Sequence, residues 1–542
     1  MAVSTLLVAN RGEIALRVFR TARRLGIETI AIAAPDDAGA LHARSADRTV
    51  SVSSYLDAAE VVRAAHDAGA DAVHPGYGFL AESPELAAAV AGAGLLWIGP
   101  PADALRAGGD KVEAKRIAET AGVPVVPGGG PDDVGFPLLV KAAAGGGGRG
   151  MRVVRAATEL GAAVEAAARE AGSAFGDDRL LFERYLERPR HVEIQLLADA
   201  HGTVTSVGER ECSIQRRHQK VLEEAPSVAV DAELRARMSD AATRFARAVG
   251  YVNAGTAEFV LDGRDFYFLE LNGRIQVEHP VTEAVTGLDL VELQIRIAEG
   301  APLPQIDASA RGHAVEVRLY AEDPRTFLPQ TGRLERLRLP AGIRVEAGVA
   351  EGDEVGSRYD PLIAKLIAHG ATRADALDRL RDALAETDVR GLTTNLRFLR
   401  WLVSHPALRA GETTTAFLLE HAPLEPPSPL PQRPWRGPFR LNLPSPPPSP
   451  PPDLAAAQAP EPGASSTVVA PMPGTVLRVL VAPGDEVVAR QALVVIEAMK
   501  METPLVAPYA GVVDAVHVAE GASVAGGAAV VELSDRTAAA AS

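Results

Sequence analysis

The sequence predicts a multidomain protein of mixed α/β and α+β class that ends in a small all-β unit. Three observations lead to this fold class: 542 residues are too many for one hydrophobic core, a proline-rich stretch begins near residue 421, and the sequence after that stretch repeats itself. Hydrophobic residues make up 47% and charged residues 23% of the chain, which is typical of folded domains. We therefore expect disorder to be local.

The N-terminal region carries a βαβ pattern. Two short apolar runs, residues 6–9 and 29–33, flank a segment whose apolar residues recur at helical spacing. A further apolar strand at residues 72–73 leads into the Pro- and Gly-containing turn at residues 74–78. Because ligands of α/β sheets often bind at the carboxyl ends of strands, this turn is a candidate binding edge.

Charge and composition exclude several classes of function. A formal charge of −15 argues against a general nucleic-acid binder, which needs a basic face. Cys212 is the only cysteine, so an internal disulfide or a thiolate metal cluster is excluded and a reducing compartment fits. The first ten residues lack a signal-peptide pattern, and no apolar segment has membrane-spanning length. We expect a cytoplasmic protein that binds neither nucleic acid nor membranes.

The proline-rich stretch separates the two parts of the chain. Sixteen of the forty prolines lie between Pro423 and Pro462, which predicts an extended, semi-rigid linker. After it, residues 37 positions apart match, as Gly474 and Gly511 do. Two related β-units are implied, and because neither could bury its apolar face alone, the pair should form a small flattened barrel.

Lys500 lies between the two repeated units, in the motif Glu-Ala-Met-Lys-Met at residues 497–501. Strand-like segments on both sides predict a hairpin tip. An ordinary surface lysine would leave the two flanking methionines unexplained. Residues 468–533 resemble biotin carboxyl carrier proteins, which implies biotin attached covalently to Lys500 by biotin protein ligase. A lipoyl domain has the same fold and hairpin lysine but usually lacks methionines on both sides.

A glycine run follows an apolar strand at residues 137–140. The segment Lys-Ala-Ala-Ala-Gly-Gly-Gly-Gly-Arg-Gly-Met at residues 141–151 would let backbone amides approach phosphate oxygens, although alone it could be a flexible tether. It is no Walker A motif, because no Gly-Lys-Ser/Thr follows. Lys111 precedes it and Glu-Arg-Tyr-Leu at residues 183–186 follows it. This order resembles an ATP-grasp enzyme, which implies a glycine lid over ATP, lysines on its phosphates and an adenine-binding hinge.

Two acidic residues, Glu258 and Glu270, lie on the two strands of a predicted hairpin that turns near Gly263. A three-residue loop would place them diagonally on one face, and a two-residue loop would place them on opposite faces. Spacing alone does not decide, and a solvated strand face would explain either residue singly. With Asn272 on the same face as Glu270, these oxygen ligands are the candidates for Mg²⁺ or Mn²⁺.

Residues 1–420 as a whole resemble biotin carboxylase. The most discriminating segments are residues 211–220 (ECSIQRRHQK) and 274–283 (RIQVEHPVTE). Gly273 departs from the family, which usually has threonine or proline there. The resemblance predicts an N-terminal domain at 1–112, an ATP-grasp domain at 113–310, a C-terminal domain at 311–420, a linker at 421–467, a carrier domain at 468–534 and a tail at 535–542.

The resemblance also implies the site residues. The cofactor- and substrate-binding residues would be Lys111, Lys141, Gly147, Gly148, Glu183, Arg184, Tyr185, Leu186, His191, Gln215, His218, Glu258, Glu270, Val277 and Lys500. Glu278 would deprotonate bicarbonate, which Lys220, Arg274 and the Val277 backbone hold during attack on ATP to give carboxyphosphate. Arg318 would stabilise the biotin enolate. The alternative is purely structural, with Arg318 at the rim of the core and Glu278 paired to Arg274.

The expected function is that of the alpha subunit of an acyl-CoA carboxylase, forming part of a larger oligomer. No further domain-sized region is present for the second half-reaction, so a separate carboxyltransferase (beta) subunit is implied. Acetyl-CoA or propionyl-CoA would be the acceptor, with methylcrotonyl-CoA or geranyl-CoA as alternatives. Residues 435–441 would be a docking segment or irregular linker. Another ATP-grasp ligase, or a biotin store or scaffold, are the competing interpretations.

Overall fold

The computed structural model describes residues 2–143, 151–175, 177–216, 219–325, 327–421, 466–470, 474–498, 501–524 and 528–534. The sequence predictions for Gly147, Gly148, His218 and Lys500 lie outside the described residues. So do the segment 435–441, most of the predicted linker and the tail at 535–542.

The N-terminal region forms a five-stranded parallel sheet in the order β3-β2-β1-β4-β5. Its core is apolar, and helix α1 contributes the buried residues Ile14, Val18 and Phe19. The elements are β1 (Thr5–Val8), α1 (Gly12–Arg24), β2 (Glu28–Ala33), α2 (Leu41–Ser45), β3 (Arg48–Ser51), α3 (Ala58–Asp67), β4 (Ala72–His74), α4 (Pro84–Gly92), β5 (Leu96–Trp97) and α5 (Ala102–Gly109), with a 3₁₀ turn at Pro35–Asp37. This confirms the predicted βαβ start.

A separate four-stranded antiparallel sheet, in the order β6-β9-β7-β8, follows. Its elements are α6 (Lys111–Thr120), β6 (Gly128–Gly129), α7 (Pro131–Val134), β7 (Leu138–Ala142), β8 (Arg152–Val154), α8 (Ala157–Phe175) and β9 (Leu180–Arg184). Helix α6 begins where Asp110 accepts hydrogen bonds from the amides of Val112 and Glu113, which fixes the position of Lys111 at the first turn.

The largest sheet has eight strands in the order β14-β13-β10-β11-β12-β15-β20-β18. It continues across residue 310, the predicted domain boundary, so strands from both sides of that boundary share one hydrogen-bonded ladder. The part of the chain that forms its first five strands comprises β10 (Arg190–Ala198), β11 (Val204–Arg216), β12 (Gln219–Ala225), α9 (Ala232–Ala248), β13 (Asn253–Asp262), β14 (Asp265–Asn272), α10 (His279–Thr286) and α11 (Leu290–Ala298). The predicted boundaries themselves stay predictions.

The region up to residue 420 adds strands and helices around a second apolar core. The elements are β15 (His313–Tyr320), β16 (Gly332–Arg333), β17 (Arg336–Arg338), β18 (Arg344–Ala347), β19 (Glu354–Val355), β20 (Leu362–Gly370), α12 (Arg373–Glu386), β21 (Asp388–Arg390), α13 (Leu396–Ser404), α14 (Pro406–Arg409) and α15 (Phe417–Glu420). Strands β16 and β19 pair with each other, as do β17 and β21.

The C-terminal unit consists of two four-stranded sheets, β22-β29-β27-β24 and β26-β25-β23-β28, which enclose a core of aliphatic side chains. The strands are β22 (Ser466–Val469), β23 (Gly474–Val479), β24 (Glu486–Val487), β25 (Ala492–Ala498), β26 (Met501–Val506), β27 (Gly511–Val516), β28 (Ser523–Val524) and β29 (Ala529–Ser534). Strands β27, β28 and β29 each begin 37 residues after β23, β24 and β25. Each sheet contains two strands from each half, so the two halves form one unit, as the sequence repeat predicted.

In the part of the chain that the structure describes, the helices are all too short or too polar to cross a membrane.

Candidate active site

A row of three carboxylates crosses one face of the large sheet. Glu193 on β10 lies opposite Glu258 on β13, and Glu258 lies opposite Glu270 on β14. The hairpin turn has two residues between the paired Asp262 and Asp265, which alone would put Glu258 and Glu270 on opposite faces. A register shift between Glu258 and Phe259 adds one residue on β14 and brings both carboxylates to the same face.

Lys220 is the central cation of the site. Its Nζ donates hydrogen bonds to Glu193 Oε2 at 2.6 Å, Glu258 Oε1 at 2.8 Å and Glu278 Oε1 at 2.6 Å. Burial would lower the pKa of Lys220, but these three carboxylates outweigh it and hold the pKa well above its ordinary value. The lysine is therefore a permanent positive charge among the acidic groups.

Glu278 lies between two cations. Its Oε2 accepts a hydrogen bond from Arg318 at 3.1 Å, while its Oε1 accepts the one from Lys220. Burial would raise the pKa of Glu278, but Lys220 and Arg318 hold it well below the ordinary value. Arg318 also contacts Glu223, whose pKa rises to about 7, chiefly because it is buried.

Arg274 does not pair with Glu278, which was the structural alternative. Its guanidinium lies 3.1 Å from Glu82 Oε2 and donates to Asn272 Oδ1 and to Gln276 Oε1, both at 2.9 Å. Glu82 belongs to the loop before α4 and also accepts a hydrogen bond from the Gly273 amide at 3.0 Å. One carboxylate from the N-terminal region thus holds both the loop backbone and the arginine.

A cavity of about 390 Å³ opens beside this group and is polar on one side. Its polar lining consists of Glu82, Lys111, Glu270, Asn272 and Arg274. Burial lowers the pKa of Lys111, although Glu270 opposes the shift. Burial and the nearby Glu258 raise the pKa of Glu270. Acidic side chains and a lysine therefore meet at one cavity.

Other predicted nucleotide residues lie in two small groups. Lys141 Nζ is 2.8 Å from Glu183 Oε2, and Lys115 Nζ is 3.3 Å from the other oxygen of Glu183. The His191 ring lies 2.9 Å from Glu258 Oε2 and 2.8 Å from the Gln215 side-chain amide. Lys141 and Lys111 both lie close enough to Glu270 for their positive charges to lower its pKa, against the effect of burial.

The hinge residues after Glu183 contribute mainly backbone hydrogen bonds to this region. The Arg184 amide donates to Pro127 O at 2.9 Å and the Tyr185 amide donates to Pro137 O at 3.1 Å, whereas Leu186 follows the end of β9. The Arg184 guanidinium is exposed and contacts the Tyr267 hydroxyl. The Val277 carbonyl accepts a hydrogen bond from buried Lys365.

The donor set suits a hard divalent cation. Glu258 and Glu270 offer oxygen ligands from directly paired strand positions. Asn272 lies two residues further along β14, where its amide nitrogen donates to Glu258 Oε1 at 2.9 Å and its Oδ1 accepts from Arg274 at 2.9 Å. Burial and the nearby Glu258 raise the pKa of Glu270, and a bound cation would offset the repulsion between the two carboxylates. These three residues fit Mg²⁺ or Mn²⁺.

Sequence reasoning missed three residues of the site. Glu193 and Glu82 contact Lys220 and Arg274, and Lys115 contacts the hinge glutamate. A signal existed for Glu193, because His191, Glu193 and Gln195 alternate along an otherwise apolar strand and so share one face. Glu82 and Lys115 had no such signal, since their contacts come from distant segments.

Family models match four consecutive parts of the chain. "Biotin carboxylase, N-terminal domain" matches residues 2–105, and "Carbamoyl-phosphate synthase L chain, ATP binding domain" matches 110–306. "Biotin carboxylase C-terminal domain" matches residues 316–420, and "Biotin-requiring enzyme" matches 466–533. Together they cover both sides of the proline-rich segment.

Curated relatives match about three quarters of the chain. The methylcrotonoyl-CoA carboxylase subunit alpha of Arabidopsis thaliana is 47% identical over 445 residues, which is 77% of this chain and 61% of that protein. The propionyl-CoA carboxylase alpha chain of Ruegeria pomeroyi is 46% identical over 462 residues, 77% of this chain and 68% of that protein. The chain spans about three fifths of the length of the methylcrotonoyl-CoA carboxylase subunits that it matches.

Solved structures agree with the fold. Biotin carboxylase of Campylobacter jejuni in complex with βγ-ATP superposes with a TM-score of 0.76 at 39% identity, covering 77% of this chain and 99% of that one. The biotin carboxylase domain of Hydrogenobacter thermophilus 2-oxoglutarate carboxylase, solved with MgADP and bicarbonate, has a TM-score of 0.76 at 42% identity and covers 78% and 98%. With the carrier half matched as well, the chain belongs to the biotin carboxylase family, and its curated relatives include alpha subunits of acyl-CoA carboxylases.

Proposed function

We propose that this chain carboxylates biotin carried on its own Lys500, using ATP and bicarbonate. The observation that supports this most is the position of Glu278 between Lys220 at 2.6 Å and Arg318 at 3.1 Å, beside the carboxylate row. The reaction needs an anion to be bound and then deprotonated, and a base flanked by cations suits both steps.

Lys220 and Arg274, together with the Val277 amide, would hold bicarbonate, and Glu278 would take its proton. The ion pairs that lower the pKa of Glu278 also weaken it as a base. We expect Glu278 to gain basicity when a bound anion draws Lys220 and Arg318 towards itself. Arg318 would then face the negative charge that develops on the ureido oxygen of biotin.

The nucleotide would lie between the small four-stranded sheet and the cavity. Lys111 and Lys141 would contact its phosphates, His191 and Gln215 would line the site, and residues 183–186 would hold the adenine. Glu258, Glu270 and Asn272 would hold Mg²⁺ or Mn²⁺, which neutralises phosphate charge when bound. The carboxylates come from paired strands, so the protein fixes their spacing in advance.

The proposed partner is a separate carboxyltransferase (beta) subunit, with biotin protein ligase acting on Lys500. Acetyl-CoA or propionyl-CoA is the proposed acceptor, and methylcrotonyl-CoA and geranyl-CoA are the alternatives. The names of the relatives include both methylcrotonoyl-CoA and propionyl-CoA carboxylases. The test is therefore to reconstitute the chain with a beta subunit and to measure the transfer of labelled carboxyl from bicarbonate to each of the four acyl-CoA thioesters. Assembly into a larger oligomer and a cytoplasmic location stay predictions.

The direct test is bicarbonate-dependent ADP release by the purified full chain, with and without free biotin. Lys500→Arg should remove the mass of attached biotin but leave carboxylation of free biotin unchanged, because Lys500 would carry the substrate and take no part in the chemistry. Absence of bicarbonate-dependent ADP release in the wild type would contradict the proposal and favour a biotin store or another ATP-grasp ligase.

A further inference from the structure

The loop that joins β14 to α10 carries the proposed anion-binding amide and the base. Two consecutive carbonyl oxygens of this loop each accept a hydrogen bond from a fully buried side chain. His279 Nδ1 lies 2.7 Å from Gln276 O, and Lys365 Nζ lies 2.8 Å from Val277 O. Both peptide units that flank Val277 are therefore held in place by hydrogen bonds to their carbonyl oxygens.

His279 is the hydrogen-bond donor in its contact with Gln276 O. A carbonyl oxygen only accepts hydrogen bonds, so Nδ1 must carry the proton. Among the described residues Nε2 has no hydrogen-bond partner, and the nearest carboxylate oxygen, on Glu283, is 3.9 Å away. Burial lowers the pKa of His279 well below its ordinary value, and Lys365 adds to the shift, so the ring is neutral.

Lys365 brings a buried charge to the loop from strand β20. Its Nζ is 3.0 Å from Glu346 and 3.4 Å from Glu13, which belong to β18 and α1. Burial would lower the pKa of Lys365, but the two carboxylates outweigh it and raise the pKa, so the lysine stays charged. Two further segments, β18 and α1, therefore hold the lysine that contacts the Val277 carbonyl.

We propose that His279 and Lys365 are positioning residues that orient the Val277 amide and the Glu278 carboxylate for bicarbonate, an inference that rests on the proposed function. A peptide unit is planar, so fixing Gln276 O also fixes the direction of the Val277 N–H. A hydrogen bond to a peptide carbonyl also polarises the unit and strengthens its N–H as a donor. Lys365 does the same for the next unit, whose N–H belongs to Glu278.

The test compares two substitutions of similar size at one position. Asn in place of His279 can put an amide N–H where Nδ1 lies, whereas Leu cannot donate. We expect His279→Leu to raise the KM for bicarbonate by about 10-fold or more, because the buried Gln276 carbonyl loses its shorter hydrogen bond and keeps only the one from the His279 amide at 3.3 Å. The KM for ATP should stay within about 2-fold of wild type, and His279→Asn should restore most of the bicarbonate KM, since an uncharged donor of matching geometry suffices.

Equal changes in both KM values, or the same KM for bicarbonate in the Leu and Asn variants, would overturn the proposal. If His279→Leu does not fold, His279→Gln replaces it, because Gln places its N–H near the position of Nε2 rather than Nδ1. In that comparison the Asn variant, but not the Gln variant, should preserve the KM for bicarbonate. Hydrogen exchange of residues 274–279 gives a readout without turnover and should be faster in the Leu or Gln variant than in the Asn variant. If the wild type does not use bicarbonate, the proposed function fails, and exchange alone decides whether His279 holds the loop.

Discussion

Removal of the central lysine should destabilise the fold and make its stability depend more strongly on pH. Lys220→Met leaves Glu193, Glu258 and Glu278 without their shared partner, although each keeps one other cationic or histidine contact. Only 12% of the Lys220 side chain is exposed, so water compensates little. Removing one partner of a buried ion pair lowers the free energy of unfolding by about 3–5 kcal/mol. Because each carboxylate keeps one other contact, we expect a loss at the lower end of this range, about 3 kcal/mol.

The assay is calorimetric unfolding of the wild type, Lys220→Met and Lys220→Arg over a range of pH. For a cooperative unit of about 150–250 residues, 3 kcal/mol corresponds to a fall in Tm of roughly 6–12 °C near pH 8. Lys220→Arg keeps the charge and should lose much less. The Met variant should also lose bicarbonate-dependent ADP release.

The pH dependence follows from the carboxylates. In the wild type the pKa of Glu258 and of Glu278 lies below the ordinary value, so their stabilisation is present above about pH 4.3 and is lost as the pH falls. Without Lys220 both pKa values rise, and protonation then relieves the repulsion. The Tm difference should therefore shrink towards about pH 5. A difference below about 2 °C at pH 8, or one that grows on acidification, would refute this reasoning.

Three further predictions concern the cavity and the cations. Gly273→Ala should lower stability by about 1–3 kcal/mol, because its Cβ would lie 2.5 Å from Leu105 Cδ2; Leu105→Ala should relieve this in the double variant, as thermal unfolding will show. Glu270→Gln should raise the Mg²⁺ concentration for half-maximal ADP release by about 10-fold or more, as its charge is lost. Arg318→Gln should reduce biotin-dependent turnover more than bicarbonate-dependent ADP release, and equal losses would contradict the role of Arg318.

The large-scale organisation could be predicted because it depends on local patterns. The βαβ start and the 37-residue repeat both reappear as strands at the expected spacing. Strands β25 and β26 pair antiparallel as far as Ala498 and Met501, on either side of the predicted hairpin position. Periodicity of apolar residues suffices for such elements, since it decides which face is buried.

The details of the site depended on features that no local pattern encodes. The register shift beside Glu258 decides whether two carboxylates meet, and an irregularity of one residue leaves no mark in hydrophobic periodicity. The contact of Lys365 with Val277 O joins residues 88 positions apart, and Glu82 reaches Gly273 across 191 positions. Such pairs arise from the packing of domains rather than from the propensity of either segment.

The internal symmetry of the C-terminal unit determines at which end its first described strand begins. Ser466 pairs with Leu533, which is the pairing of Thr503 with Ile496 displaced by 37 residues. One half thus has a hairpin where the other has an open end. Strand β22 begins at that open end. The chain passes along the whole of β22 before it reaches Thr475, which pairs with Glu497 beside the hairpin. Ser466 therefore lies at the opposite pole of the unit from Ala498 and Met501, so a group carried between those two residues would lie about one strand length, roughly 20 Å, from Ser466.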